Sequence, residues 1–219
     1  LGVVTDSYDS EGEIIREDDA SQISQSDVEN ILPQFTGDIA QIPPMYSAIK
    51  QGGKKLYELA RQGETVEREA RSVTIHSLEI LSWNAPDFEL LVTCSSGTYI
   101  RSLAYDIGEA LGIGAYLTGL VRTRSGSFTV ENALNLDDLL QADEDFSAHL
   151  LPPLTALADW QIVPVKDEQI QAIIQGRSIP NMDDSANDYA VAVESDGHLL
   201  AILEKRGASW KPHKVFIRD

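Results

Sequence analysis

A single cysteine, Cys94, stands among 219 residues. It excludes an internal disulfide and a cysteine-rich metal site, and it predicts a reducing, cytoplasmic setting. The 4 histidines (His76, His149, His198 and His213) follow no metal-ligand spacing. No glycine-rich phosphate loop is present, so neither a nucleotide nor a metal cofactor is expected. No apolar run approaches the roughly 20 residues of a membrane span, and no membrane partner is expected. Basic residues are also scarce, 17 against 35 acidic ones, for a net charge of −18.

Such a charge ordinarily argues against a nucleic-acid partner, but its distribution changes the argument. Residues 1–40 hold 10 acids and 1 base, Arg16. Residues 131–219 hold 16 acids and 7 bases. The middle, 41–130, holds 9 of each. Its bases are clustered: Lys50, Lys54, Lys55, Arg61, Arg68 and Arg71, then Arg101, Arg122 and Arg124. A local basic face on an acidic body suits a polyanion bound at one place. The interleaved Glu58, Glu64, Glu67 and Glu69 also allow an ordinary charge-mixed surface.

What is present reads as alternating strands and helices without βαβ regularity, hence an α+β fold. A hairpin is expected over 1–16, turning at Asp6-Ser-Tyr-Asp-Ser-Glu-Gly12. A capped helix over 28–32 ends before Pro33. Gly52-Gly53 marks a flexible point, followed by a helix over 54–62. Strands are expected over 72–81 and 88–94, and later over 127–130. Leu150-Leu151-Pro152-Pro153, after the polar run 142–145, is a natural joint. Beyond it come a strand over 160–165, a helix over 167–175, a hairpin over 189–204 and a last strand over 214–217. That order suggests a small β-rich, barrel-like module.

The stretch after Cys94 carries most of the chemistry. Ser95, Ser96, Gly97 and Thr98 supply turn and cap residues. Ile100, Leu103, Ala104, Ile107 and Leu111 then recur at helical spacing. Arg101 falls in the first turn, off that stripe. A cation there opposes the helix dipole and costs about 0.3–1 kcal/mol. Something anionic is therefore expected to meet it, and Asp106 or Glu109 would serve as an ordinary ion-pair partner. Cys94, on an apolar strand with no histidine near, reads as a structural thiol.

Several motifs together resemble one family. Gln41-Ile-Pro-Pro-Met-Tyr-Ser-Ala-Ile-Lys50 and Gly53-Lys-Lys-Leu-Tyr-Glu-Leu-Ala-Arg-Gln-Gly63 resemble the RNA-binding insertion of the TruB-type tRNA pseudouridine synthases. Gly97-Thr-Tyr-Ile-Arg-Ser-Leu103 with Asp106-Ile-Gly108 resembles that family's second active-site motif. Leu120-Val-Arg-Thr-Arg-Ser-Gly126 resembles the segment after it. Leu1-Gly-Val-Val-Thr-Asp6 with Asp9 and Gly12 resembles the strand and turn upstream. The end of the chain, Trp210-Lys-Pro-His-Lys-Val-Phe216, is similar to a PUA-type tail.

The resemblance implies part of a mixed-sheet catalytic domain over 1–148, with the insertion at about 41–71, and a PUA-like domain over 149–219. It implies isomerisation of the T-loop uridine at position 55 to pseudouridine, on the tRNA T stem-loop, by a protein that is monomeric when complete. Arg101 would pair with the nucleophilic aspartate. Tyr99 would contact the flipped base and serve the proton step at C5, and Leu120 would line the pocket. Lys50, Lys54, Lys55 and Arg61, with Tyr46 and Tyr57, would hold RNA. The plainer readings are a surface ion pair, packing side chains and ordinary surface lysines.

One departure stands out. The family's nucleophile lies in a Gly-x-Leu-Asp-Pro motif, and these 219 residues contain none. A base-stacking tyrosine expected just upstream is missing too. Asp6 and Asp9, in a turn, are poor substitutes. The expectation is therefore a C-terminal portion, inactive alone, which an N-terminal fragment could complete. Two alternatives are an RNA-binding fragment that grips the T arm without catalysis, and an acidic structural fragment that pairs through the strand edge at Leu1.

Overall fold

The computed structural model describes residues 1–141, 146–181 and 187–216. The polar run 142–145 and the end of the expected last strand, Ile217, lie outside them. The architecture is α+β and divides into two compact units, Leu1–Leu120 and Val121–Asp219.

The first unit opens with a hairpin of β1 (Val3–Thr5) and β2 (Ile14–Glu17). Helix α1 (Gln25–Ile31) starts at a capping box, in which the Asp27 amide meets the Ser24 hydroxyl and the Ser24 amide meets the Asp27 carboxylate. A 3₁₀ turn over Leu32–Phe35 leads into β3 (Gly37–Gln41). The small hairpin β4 (Lys50–Gln51) and β5 (Lys54–Lys55) turns at Gly52-Gly53 and runs into α2 (Leu56–Ala60). The expected helix over 54–62 is thus shorter at both ends. Lys54 and Lys55 are extended and pair across the glycine turn, and Leu56 begins the helix.

Strands β6 (Arg71–Asn84) and β7 (Asp87–Cys94) form a long hairpin, and β3 pairs with β6 to complete a three-stranded antiparallel sheet. Helix α3 (Ile100–Ala110) follows. Its Leu103 and Ile107 are buried with Val28, Leu32 and Ile75, one apolar helix face against α1 and the sheet. Full burial of such side chains contributes about 1.5–3 kcal/mol each. Gly108 lets the following loop return to the helix. A Cβ there would lie 2.2 Å from the Ala115 nitrogen, so any larger residue would push loop 112–117 away. A separate small core of Met45, Leu56 and Leu59 consolidates the insertion.

The second unit contains the hairpin β8 (Arg124–Ser125) and β9 (Phe128–Thr129), helix α4 (Leu136–Gln141) and a five-stranded sheet. The sheet comprises β10 (Gln161–Pro164), β11 (Ile179–Pro180), β12 (Tyr189–Val193), β13 (Leu199–Arg206) and β14 (Ser209–Val215), in the order β10-β12-β13-β14-β11. Helix α5 (Asp167–Ile174) adds Ile173 to a core with Trp210 and Leu203. The two-residue period of β12 splits it: Ala190 and Ala192 join that core, whereas Val191 and Val193 join Leu199 in another. The last strand begins at Ser209, earlier than the expected 214. Pro212 lies in it at a register irregularity opposite Leu203, where a missing N–H is tolerated.

Candidate active site

The turn between β1 and β2 is built around two carboxylates. Asp6 Oδ1 accepts the Glu13 amide at 3.0 Å. Asp9 Oδ1 accepts the Ser7 hydroxyl at 2.8 Å and the Glu11 amide at 3.1 Å, and the Asp9 carbonyl accepts the Thr5 hydroxyl at 2.8 Å. Gly12 must lack a side chain, because a Cβ would sit 2.3 Å from Ser7 Oγ and 2.5 Å from Asp6 Oδ1. Loop 112–117 braces the turn from outside: the Leu117 amide donates to the Tyr8 carbonyl and the Ser10 amide to the Leu117 carbonyl. Tyr8 stacks on Tyr105 of α3, with ring centroids 4.1 Å apart.

This turn supplies the anion that Arg101 requires. Arg101 NH1 donates to Asp9 Oδ2 at 2.7 Å, across 92 residues of sequence. Both side chains are about three-quarters buried, at 27% and 25% exposure. Neither local acid is its partner, and Glu109 pairs with Arg16 instead. Burial pushes the Asp9 carboxyl up, but hydrogen bonds from Ser7, the Glu11 amide and Arg101, with the guanidinium charge, outweigh it and hold the carboxyl below its ordinary value. Removing one member of such a pair strands a partly buried charge.

Arg101 also reaches the insertion. Its NH2 donates to the Tyr46 main-chain carbonyl at 2.9 Å. The Tyr46 hydroxyl in turn donates to Asp6 Oδ2 at 3.0 Å. That hydrogen bond first, then burial and the Asp6 charge, raise the Tyr46 pKa. The Gln41 amide side chain, 2% exposed, locks β3 to the start of α3 through its Oε1 with the Tyr99 amide (2.8 Å) and its Nε2 with the Tyr99 carbonyl (3.1 Å). The buried Ser102 hydroxyl donates to the Ile42 carbonyl at 2.9 Å.

Tyr99 itself occupies the N-cap position of α3, beside Arg101 and half-buried. Leu120 is 63% exposed at the end of the first unit. In the insertion, Lys55 and Arg61 both approach Tyr57, Lys50 is the cross-strand partner of Lys55, and Lys54 pairs with Gln51. Lys55 Nζ donates to the Tyr57 hydroxyl at 3.2 Å, and Lys55 Nζ and Arg61 Cζ lie 5.3 and 5.5 Å from the Tyr57 ring centroid. Tyr46 packs on the insertion's core of Met45, Leu56 and Leu59, and its hydrogen bonds go to Asp6 and Arg101.

Asp6, Asp9, Gln41 and Ser102 join the site although sequence reasoning did not single them out for it. The two aspartates had looked like turn residues, which they also are. The only signal in the sequence for the Asp9 contact was the unexplained charge on Arg101.

Asp106, on the same helix, lines a cleft of about 460 Å³ with Phe35, Asp38 and Ile42. Burial, then the Glu109 charge, push its carboxyl up to about 6. The folded chain therefore keeps a proton that the unfolded chain releases near pH 4, and stability falls as pH rises from about 4 to 6. An undamped effect would be about 3 kcal/mol; the partial solvent contact of the carboxyl reduces it to about 1 kcal/mol. Asp106→Asn is expected to raise the melting temperature at pH 7, with the gain disappearing below pH 4. Thermal melts at both pH values check this, and an equal gain at both would contradict it.

Residues 1–100 match the family described as TruB family pseudouridylate synthase (N terminal domain), and residues 101–158 match the tRNA pseudouridylate synthase B C-terminal domain. Among solved structures, a Cbf5-Nop10-Gar1 complex covers 90% of this chain and 63% of its own, with TM-score 0.71 and 24% identity. An H/ACA RNP bound to a substrate RNA containing 2'-deoxyuridine covers 90% and 62%, with TM-score 0.67 and 21% identity. Fold and matched families define the pseudouridine synthase class. The tRNA pseudouridine synthase B of Clostridium perfringens is 48% identical over 225 residues, covering 100% of this chain and 76% of its own. That of Clostridium tetani is 46% identical over 175 residues, covering 80% and 60%. The chain belongs to the TruB family of pseudouridylate synthases and spans 60–76% of the length of these two relatives.

Proposed function

We propose that the chain forms the RNA-gripping, arginine-bearing part of a tRNA pseudouridine synthase that isomerises the T-loop uridine at position 55. The observation that carries this reading is Arg101, held in the first turn of α3 by Asp9 and by the carbonyl of the RNA-binding insertion. A guanidinium has five N–H donors. The two described hydrogen bonds fix its plane and leave donors for a second carboxylate, the nucleophile.

In the reaction the target uridine leaves the stack. The N1–C1′ bond breaks, the ring turns, C5 bonds to C1′, the C5 proton goes to solvent and N1 gains one. Arg101 keeps the nucleophilic aspartate ionised and aimed. Tyr99 faces the flipped base and serves the proton step at C5, while Leu120 shields the pocket from water. Lys50, Lys54, Lys55 and Arg61 hold the RNA backbone beside Tyr57. The nucleophile is not among residues 1–219, and 149–219 act as a PUA-like domain. The working form is a cytoplasmic monomer on the tRNA T stem-loop.

A T-arm stem-loop carrying 5-tritiated uridine tests this, because bond formation at C5 expels the tritium. Residues 1–219 alone are expected to bind the stem-loop without releasing tritium. Release by this chain would place a nucleophile within it. Failure to bind would remove the RNA-gripping role.

A further inference from the structure

The segment joining β3 to the insertion is fastened at both ends. Gln41 and Ile42 are tied to Tyr99 and Ser102. Pro43 and Pro44 follow, both buried and each fixing its own φ. Arg68, from the returning end of the insertion, donates to the Pro43 carbonyl at 3.0 Å. Tyr46 then makes two hydrogen bonds of different kinds. Its carbonyl accepts Arg101, and its hydroxyl binds Asp6, on the same turn as Asp9. Asp6, Tyr46, Arg101 and Asp9 thus form one chain of hydrogen bonds from the insertion to the β1–β2 turn.

We propose that Tyr46 is a positioning residue for the isomerisation: its hydroxyl, anchored on Asp6, fixes the carbonyl that together with Asp9 aims Arg101. The inference rests on the synthase reading above. It differs from the sequence expectation for Tyr46, in which the ring packs on RNA. If the ring were the working part, phenylalanine would replace tyrosine with little change. If the hydroxyl is the working part, phenylalanine frees the carbonyl to drift and Arg101 is left with one firm restraint instead of two. A tightly aimed electrostatic group is sensitive to displacements of this size.

The test uses the complete synthase, with single-turnover tritium release for the chemical step and filter binding for RNA affinity. Tyr46→Phe is expected to slow release about 10- to 150-fold, the range for loss of a hydrogen bond to a charged group. Its RNA Kd should stay within about 2-fold, since removing the hydroxyl changes no charge on the RNA-binding face. Asp6→Ala removes the same anchor from the other side. Tyr46→Phe added to Asp6→Ala should then cause little further slowing. An unchanged rate in Tyr46→Phe, a weakened Kd with a normal rate, or simple multiplication of the two effects would each overturn the inference. If wild-type synthase releases no tritium, the synthase reading fails and this inference with it. Release from wild type with a normal Tyr46→Phe rate overturns only the inference.

Discussion

Replacing Arg101 by lysine in the complete synthase is expected to lower turnover by roughly 10²- to 10³-fold, the cost of losing an aimed donor in an enclosed site. Charge is kept in this variant, so any decrease comes from geometry. An ammonium is a point charge on a flexible stem and lacks the planar fork of a guanidinium. It cannot reach Asp9 Oδ2 and the Tyr46 carbonyl together while presenting further donors to a nucleophile. Asp9 would keep its hydrogen bonds from Ser7 and the Glu11 amide, so the turn should hold its shape. RNA affinity is accordingly expected to change less than about 2-fold, because the substitution leaves the cationic insertion untouched. Tritium release and filter binding on the same RNA check both parts. Wild-type turnover in this variant would remove Arg101 from the mechanism.

Reversing two charges in the insertion should do the opposite. Lys54→Glu with Lys55→Glu is expected to weaken T-arm binding about 10- to 100-fold at low salt and to flatten its salt dependence, by about 0.7–0.9 in the log–log slope for each phosphate no longer neutralised. Lys55 is the stronger contributor on geometric grounds, since Tyr57 lies beside it and Arg61 also approaches that ring. The chemical step on saturating RNA should change much less than affinity. Affinity titrated from low to high salt decides the matter; an unchanged Kd and slope would mean that the insertion does not grip RNA.

The parts of this structure legible in sequence are those written as local patterns. The stripe Ile100, Leu103, Ile107 announced α3, and Gly52-Gly53 announced a turn. The two strands expected over 72–81 and 88–94 are β6 and β7, although β6 runs three residues past 81 to Asn84. Where local chemistry gave a mixed message, the reading slipped. The last strand starts at Ser209, five residues before the expected 214, and accommodates Pro212 at a register irregularity. Lys54 and Lys55 suit a helix by propensity, yet pairing with β4 keeps them extended.

For the site, sequence showed a need without showing what met it. A first-turn arginine demanded an anion, but nothing local could indicate Asp9, 92 residues away, over Asp106 or Glu109. The Tyr46 hydrogen bonds were less visible still, because one of them uses a backbone carbonyl that every residue carries. Gln41 is a polar side chain buried to 2% exposure and satisfied by the backbone of Tyr99. Composition gives no hint of such a partner, since it exists only once β3 and α3 are side by side.

The most direct test of the central claim is tritium release by the complete synthase from a T-arm stem-loop labelled at C5 of the position-55 uridine alone. Stoichiometric release is expected from that uridine, and none when the label is moved to a stem uridine. Binding of the labelled stem-loop without release, or equal release from both positions, would contradict the assignment of this chain to T-loop isomerisation.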